Sequence, residues 1–320
     1  MSTTTADHPA TSRGAAWKEA WRDPSLHMQR TLAMVLLLCQ GGITVTGSLV
    51  RVTGSGLGCN TWPLCHEGSL VPVEGAAPWV HQTIEFGNRL LTFVVGVAAI
   101  LVLVAAYRAG RRRDIKALAW ISLGGVVLQA VLGGISVLLD LRWWSVAVHF
   151  LPSMVLVWVA AMLYMRLAEP DGAAPTRRYP ARAQHWTVIA AVALCCVLVT
   201  GTMVTGSGPH SGDSGVGMDG RLNLDTKVLA YVHAACMYLY LISTLITAVL
   251  LHRTGAPEDA RRTSWILVGL ILVQWAIGVT QFRLGVPRWT IPAHIAMSST
   301  VVAFSAFLFS HAKRRLPTLV

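Results

Sequence analysis

Eight long apolar stretches, each close to the length needed to cross a membrane, limit what this chain can fold into more than any other feature. They lie at 32–52, 79–107, 117–139, 145–165, 186–206, 226–251, 263–284 and 290–311. A bilayer core of about 30 Å takes roughly 20 apolar residues of helix. Because the stretches do not alternate apolar and polar residues as barrel strands do, the sequence predicts an all-α integral membrane protein with eight transmembrane helices.

Composition and charge agree with a membrane protein. With 54% hydrophobic and 13% charged residues, a soluble domain of 320 residues would lack the polar surface to cover itself. Nineteen Lys and Arg residues flank the stretches on one side and six on the other, which predicts that both termini are cytoplasmic. A bacterial plasma membrane is the expected location. The net charge of +11 is then a topology signal and argues against a nucleic-acid partner.

The chain repeats itself. "TVTGSLVRVTGSGLG" (44–58) resembles "LVTGTMVTGSGPHSG" (198–212), and "LQAVLGGISVLLDLRWWSVAVHF" (128–150) matches "VQWAIGVTQFRLGVPRWTIPAHI" (273–295) without a gap at an offset of 145. Two pseudosymmetric four-helix bundles are therefore predicted. The expected divisions are a disordered cytoplasmic tail 1–29, an N-terminal half 30–166, a cytoplasmic linker 167–185, a C-terminal half 186–311 and a cytoplasmic tail 312–320.

Four histidines lie inside the apolar stretches, one near the start of every even-numbered stretch: His81, His149, His233 and His294. An ionisable residue within a span is costly and is a candidate functional residue, although a buried neutral histidine bonded to a backbone carbonyl is the alternative for each. Paired imidazoles on facing helices of a bundle are typical haem-iron ligands. Zinc is less favoured, because no HExxH or CxxC spacing accompanies them.

Glu85 lies several residues inside the second stretch, with Arg89 one helical turn further on. An unpaired carboxylate at this depth costs several kcal/mol, so it is paired, protonated or used in chemistry. An ion pair with Arg89 is one interpretation. Proton transfer, or stabilisation of positive charge at a reacting group, is the other.

These features together resemble the haem A synthase family. The residues that carry the resemblance are the loop "TGSGLGCNTWPLCHEG", "IEFGNR" in the second stretch, and the histidines of the fourth, sixth and eighth stretches, over about residues 30–311. Such enzymes oxidise the 8-methyl group of haem O to a formyl group, giving haem A for terminal oxidases. The resemblance implies haem B as cofactor, haem O as substrate and a haem O synthase as its supplier, and the sequence allows a homo-oligomer.

The resemblance also implies roles for individual residues. The C-terminal half would hold the iron of haem B between His233 and His294, and the N-terminal half would receive haem O. There His149 is the expected ligand of the substrate iron and Glu85 the expected catalytic residue, while Arg89 pairs with Glu85 or anchors a haem propionate. Cys59 and Cys65, in the outer loop, correspond to a disulfide of the family. The matching loop 207–225 has no cysteine.

The chain departs from the family pattern at one ligand. Where the family has histidine three residues after the glutamate, this sequence has Asn88. Asn88 to His149 and His233 to His294 are both separations of 61 residues, so Asn88 is expected at the ligand position. A competing register, offset by 152, aligns the two TGSG motifs and pairs His81 with His233. His81 is then either a replacement ligand or an interfacial residue.

A second class of function stays open at this point. A dihaem b-type electron-transfer cytochrome of the membrane explains the histidines equally well. It gives no reason for Glu85 or for a cysteine pair confined to the N-terminal half. The sequence therefore favours the synthase.

Overall fold

The computed structural model describes residues 19, 21–210 and 220–316, and within these it contains eight helices long and apolar enough to cross a membrane. They are α1 (Leu26–Val52), α2 (Trp79–Arg108), α3 (Arg113–Leu138), α4 (Trp143–Leu167), α5 (Ala181–Ser207), α6 (Thr226–Arg253), α7 (Glu258–Arg283) and α8 (Thr290–His311). The predicted all-α, eight-helix fold is thus confirmed, and the chain is a multi-pass membrane protein.

Helix starts follow local sequence signals. The Ser25 side chain accepts a hydrogen bond from the Met28 N–H at the start of α1, which moves this start six residues ahead of the predicted stretch. A proline directly precedes each of α2, α5 and α7: Pro78, Pro180 and Pro257. Proline is tolerated at a helix start because the backbone N–H that it lacks would have no partner within the helix there. Helix α5 therefore begins inside the predicted linker. Residues 1–18 and 20 of the predicted tail lie outside the described residues.

Each run of four helices forms a ring of neighbours. In the first run α1 contacts α2 and α4, and α3 contacts α2 and α4; in the second, α5 contacts α6 and α8, and α7 contacts α6 and α8. The two runs meet through α1–α8, α4–α8 and α4–α5 contacts. The contact pattern is unchanged when α1 to α4 are exchanged for α5 to α8 in order: the α1–α8 contact, for example, corresponds to the α4–α5 contact. This equivalence supports the prediction of two pseudosymmetric halves.

Small and polar side chains line the seam between the runs. Thr44 of α1 and Ser299 of α8 join hydroxyls at 2.9 Å, and the Ser299 hydroxyl lies 3.9 Å from the Met154 sulfur of α4. All three are buried. Close helix approach and interhelical hydrogen bonds stabilise bundles in lipid, where the hydrophobic effect between helices is absent.

The segment between α4 and α5 is structured. Together with the residues that follow α8 it forms what we call the linker face, residues 168–180 and 312–316. Strand β1 (Pro175–Arg177) pairs antiparallel with β2 (Lys313–Arg315). Glu169, whose side chain is fully buried, binds Arg112 at 3.0 Å and Arg166 at 2.8 Å. On the other half, Asp259 binds Arg178 at 3.0 Å. Residues 313–315 of the predicted tail therefore belong to a clasp that holds both halves; residues 317–320 lie outside the described residues.

Candidate functional site

His149 of α4 and His294 of α8 lie in duplicated surroundings. The side-chain amide of Gln129 on α3 donates to the His149 carbonyl at 2.9 Å and bonds the Ser153 hydroxyl. On α7, Gln274 donates to the His294 carbonyl at 3.2 Å and to the Ser298 hydroxyl at 2.8 Å. Residues related by the predicted offset of 145 thus make equivalent hydrogen bonds in the two halves, in addition to being similar in sequence.

Each of the two imidazoles also packs on a glycine. A Cβ added to Gly133 would lie 3.1 Å from the His149 ring, and one added to Gly278 would lie 3.4 Å from the His294 ring. A side chain at either glycine would crowd the imidazole. The absence of a side chain therefore lets each histidine lie flat against the preceding helix.

One ring nitrogen of each histidine is left over. Within the described part of the chain, the buried Nδ1 atoms of His149 and His294 have no hydrogen-bond partner, and neither do the Oε1 atoms of Gln129 and Gln274. Buried polar atoms in native structures are nearly always satisfied by protein, water or ligand. In His294 the Nε2 atom lies 3.0 Å from the Gln274 amide nitrogen, so binding of iron through Nε2 would require that amide to move aside. An imidazole with an unsatisfied nitrogen in each half fits a prosthetic group that takes a nitrogen ligand.

His233 of α6 completes the C-terminal arrangement. Its Nδ1 atom lies 3.1 Å from the Thr200 hydroxyl of α5, and a Cβ on Gly201 would lie 3.2 Å from its ring. A cavity of about 30 Å³ lies in the same bundle, with Gln274 and Ser298 in its lining. His233 and His294 thus lie on two helices of the same four-helix bundle, and their pairing as haem B ligands stays a prediction.

Asn88 and His81 occupy different places on α2. The Asn88 Oδ1 atom accepts a hydrogen bond from the Thr46 hydroxyl of α1 at 2.7 Å. His81 lies two helical turns nearer the helix start, where its Nδ1 atom is 2.9 Å from the Gly54 carbonyl oxygen. His81 thus contacts the segment 53–78, which we call the outer loop. The side of the molecule on which this loop lies is called the loop face.

Glu85 and Arg89 hold the outer loop. The Glu85 carboxylate, 5% exposed, accepts from the Cys59 N–H at 2.6 Å and pairs with Arg89 at 2.6 Å. Arg89 in turn donates to the carbonyls of Cys59 and Thr61 at 3.0 Å and Leu64 at 3.1 Å. The predicted ion pair is present, and it anchors the loop to α2. A catalytic role for Glu85 stays a prediction.

A disulfide closes this part of the loop. Cys59 and Cys65 are bonded, as predicted, and both are fully buried. Trp62, between them, packs against Gly134 of α3 so closely that a Cβ there would overlap its indole. Gly134 follows the glycine that supports His149. The disulfide loop therefore reaches over the N-terminal half to the helix turn beside its histidine.

Several side chains that shape the site escaped the sequence prediction. Thr46 and Thr200 form hydrogen bonds with Asn88 and His233. Trp62 packs against α3. The fully buried Gln82 holds the outer loop through hydrogen bonds with Val73 and His66. The Val-Thr-Gly triplets at 45–47 and 199–201 mark the two threonines as counterparts. The remaining contacts carried no signal in the sequence.

The arrangement suits a large ligand held by few protein atoms. Within residues 19, 21–210 and 220–316, no group of three or more His, Cys, Asp or Glu side chains is positioned to hold a metal ion. Histidines on different helices of a four-helix bundle are instead typical of proteins that bind haem iron. The fold and site define a multi-pass membrane protein with a duplicated histidine site, one copy of which carries Asn88 in place of a histidine.

Comparison with known proteins narrows the class. The model of the cytochrome oxidase assembly protein family, COX15-CtaA, matches residues 30–211. This match covers more than half of the chain, from α1 through α5. The chain belongs to that family.

Curated relatives carry a more specific name. A haem A synthase of Lysinibacillus sphaericus is 35% identical over 143 residues, 44% of this chain and 43% of its own length. Haem A synthases of Listeria welshimeri, 32% identical over 155 residues and 47% of each chain, and of Geobacillus kaustophilus, 34% identical over 143 residues, 44% of this chain and 42% of its own, are also similar. The chain thus spans less than half the length of the curated relatives it matches.

Proposed function

We propose that this protein is a haem A synthase, which oxidises the 8-methyl group of haem O to the formyl group of haem A. The observation that carries the proposal is the duplicated histidine site, one copy of which lies beside a disulfide-closed loop, whereas the corresponding loop 207–225 has no cysteine. Two unlike copies of a haem site suit an enzyme that keeps one haem and processes another. The family and the names of the curated relatives agree with this activity.

In the C-terminal half, His233 and His294 would hold haem B. Bound there, haem B supplies an iron centre that can exchange single electrons. Thr200 and Gln274 orient the two histidines through hydrogen bonds. Such neighbours fix the tautomer and direction of a ligating imidazole.

In the N-terminal half, His149 would bind the iron of haem O, the substrate. The outer loop lies over this half and excludes water from the reacting edge, because Glu85 and Arg89 hold its backbone to α2. Glu85, as the candidate catalytic residue, would accept protons or stabilise positive charge that develops at the methyl group, and Arg89 would balance the charge of Glu85. The oxygen atom and the electron acceptor that this four-electron oxidation requires come from outside the chain. A haem O synthase in the same membrane would supply the substrate, and lipid would surround both.

A membrane electron carrier with two b-type haems is the second candidate, since the duplicated imidazole sites serve it equally well. A disulfide confined to the N-terminal half argues against it. An electron carrier gains nothing from covering a single haem with a disulfide-closed lid. The two functions also differ in product, which permits a direct test.

Co-expression of the full chain with a haem O source, followed by solvent extraction and chromatography of the pigments, separates the candidates. The proposal expects haem A in the extract, and expects its loss in His149→Ala while haem B persists. The matched control is His185→Ala, which removes an exposed histidine near the start of α5. An extract that holds haem B and unconverted haem O would instead favour the electron carrier.

A further inference from the structure

Asn88 and His233 occupy equivalent positions in the two halves. The Thr46 hydroxyl of α1 meets the tip of Asn88, and the Thr200 hydroxyl of α5 meets His233, at 2.7 and 3.1 Å. Both threonines come from a Val-Thr-Gly triplet. The shared contact decides between the two registers in favour of the one that pairs Asn88 with His233.

The glycine beside each threonine shows what the N-terminal half lacks. A Cβ on Gly201 would meet the His233 ring at 3.2 Å, whereas within the described residues a Cβ on Gly47 would meet nothing within 4 Å. Gly133 and Gly278 support His149 and His294 in the same way. Gly47 is therefore the one glycine of the four without an imidazole beside it.

The hydrogen bonds give the two residues opposite chemistry. The Thr200 hydroxyl lies 2.7 Å from the Cys196 carbonyl oxygen and 3.1 Å from His233 Nδ1. When the hydroxyl donates to that carbonyl it accepts from Nδ1, and this tautomer leaves Nε2 with a free lone pair for iron. At Asn88 the carbonyl oxygen accepts from Thr46. The amide nitrogen that remains is a donor with no lone pair to give.

His81 does not fill the gap. It precedes Asn88 by seven residues, which places it about 10 Å nearer the loop face along α2. Its Nδ1 atom is bonded to Gly54 of the outer loop at 2.9 Å. Its ring packs beside Gly54, at 3.9 Å from a Cβ placed there, rather than beside Gly47. The contacts of His81 are those of a loop anchor.

From these contacts we propose that the N-terminal site binds the iron of its haem through His149 alone, with the Asn88 amide as a hydrogen-bond donor on the opposite side. The C-terminal site binds iron through two imidazoles. This inference rests on the proposed function, since it assumes a haem in each half. It makes the substrate iron five-coordinate and high-spin, open to a small ligand, and the C-terminal iron six-coordinate and low-spin.

The test is spectroscopic and does not depend on turnover. The full-length protein is purified in detergent with both sites loaded, reduced, and titrated with carbon monoxide while absorbance and electron paramagnetic resonance spectra are recorded. One haem of two is expected to be high-spin and to bind carbon monoxide. Asn88→His should convert it to a low-spin haem that no longer binds the gas, because the space beside Gly47 admits an imidazole.

Two matched variants keep the test decisive. His233→Asn should make the C-terminal haem high-spin and reactive with carbon monoxide, and His81→Ala should leave the N-terminal spin state unchanged. Two low-spin haems in the unmodified protein, one becoming high-spin in His81→Ala, would overturn the inference and leave the proposed function standing. Haem in the C-terminal half alone, with none retained in the other half when haem O is supplied, would contradict both.

Discussion

The two halves of this molecule share a helical frame and differ at two places near the loop face. Both present a histidine on their last helix, supported by a glycine and a glutamine of the helix before it. The N-terminal half adds a disulfide loop fixed by Glu85 and Arg89 and carries Asn88 where the C-terminal half carries His233. Under the proposed function, the shared parts would hold a haem in place, and the differing parts would determine whether it is retained or exposed to reaction.

The difference has a simple physical basis. Two imidazoles saturate an iron centre and favour a permanent, electron-transferring haem. One imidazole binds more weakly and leaves a coordination position open. A half that must accept, convert and release its haem therefore gains from losing one ligand, and from a loop that closes the site to water.

The largest effect is expected from removing His294, the C-terminal counterpart of His149. His294→Ala should lower haem B retained by the purified protein by at least about tenfold, since loss of even an outer partner of a ligand costs that much. His149→Ala should leave this haem in place. The measurement is pyridine haemochrome absorbance per chain; equal loss in both variants would show that the halves do not bind independently.

The next effect tests the loop that distinguishes the N-terminal half. Glu85→Gln removes one partner of a buried ion pair and should lower the free energy of unfolding by about 3 kcal/mol. Thermal unfolding in detergent measures this, and mild reductant should then open the Cys59–Cys65 bond faster. Glu74→Gln, in an exposed part of the same loop, is the control. An unchanged melting temperature for Glu85→Gln would remove the anchor role.

A smaller effect compares the two glutamines. Gln129→Leu and Gln274→Leu each remove hydrogen bonds to a histidine carbonyl and a serine, and each should cost about 1 kcal/mol of stability. Only Gln274→Leu should shift the low-spin absorbance band, because only that amide also bonds the imidazole, at 3.0 Å. A shift of the C-terminal haem band in Gln129→Leu would contradict the view that each glutamine acts only on the haem of its own half.

The smallest effect concerns the clasp on the linker face. Arg178→Ala removes an ion pair with the 40% exposed Asp259 and should cost about 0.5 kcal/mol. Arg166→Ala leaves the fully buried Glu169 with one fewer partner and should cost more. Chemical unfolding of the two variants side by side measures the order. A reversed order would mean that the linker is held mainly by the C-terminal half.

Much of this fold could be predicted from the sequence because a membrane-spanning helix requires a long run of apolar residues. All eight observed helices overlap predicted stretches, with boundaries within six residues. The β1–β2 pair was missed, since strands of three residues gain their stability from a partner 138 positions away. A local pattern carries no such information.

The candidate site was predictable where chain spacing reflects helix geometry. The i,i+4 spacing predicted the Glu85–Arg89 pair, which is present, and the equal separations of 61 residues predicted that Asn88 corresponds to His233, which the matching threonine contacts support. The bond from Glu85 to the Cys59 N–H was not predictable, because it depends on how the loop folds back over α2. The threonine contacts depend on helix rotation, which repeat spacing alone does not fix.

The pairing of β1 with β2 has a consequence for biosynthesis. A ribosome releases β1 four transmembrane helices before β2 exists, so the linker must stay unlatched while α5 to α8 enter the membrane. The strand pair and the Arg314–Asp259 contact at 3.1 Å can form only after α8 has been inserted. The clasp is therefore a late assembly step that fastens the two halves once the last helix is in place.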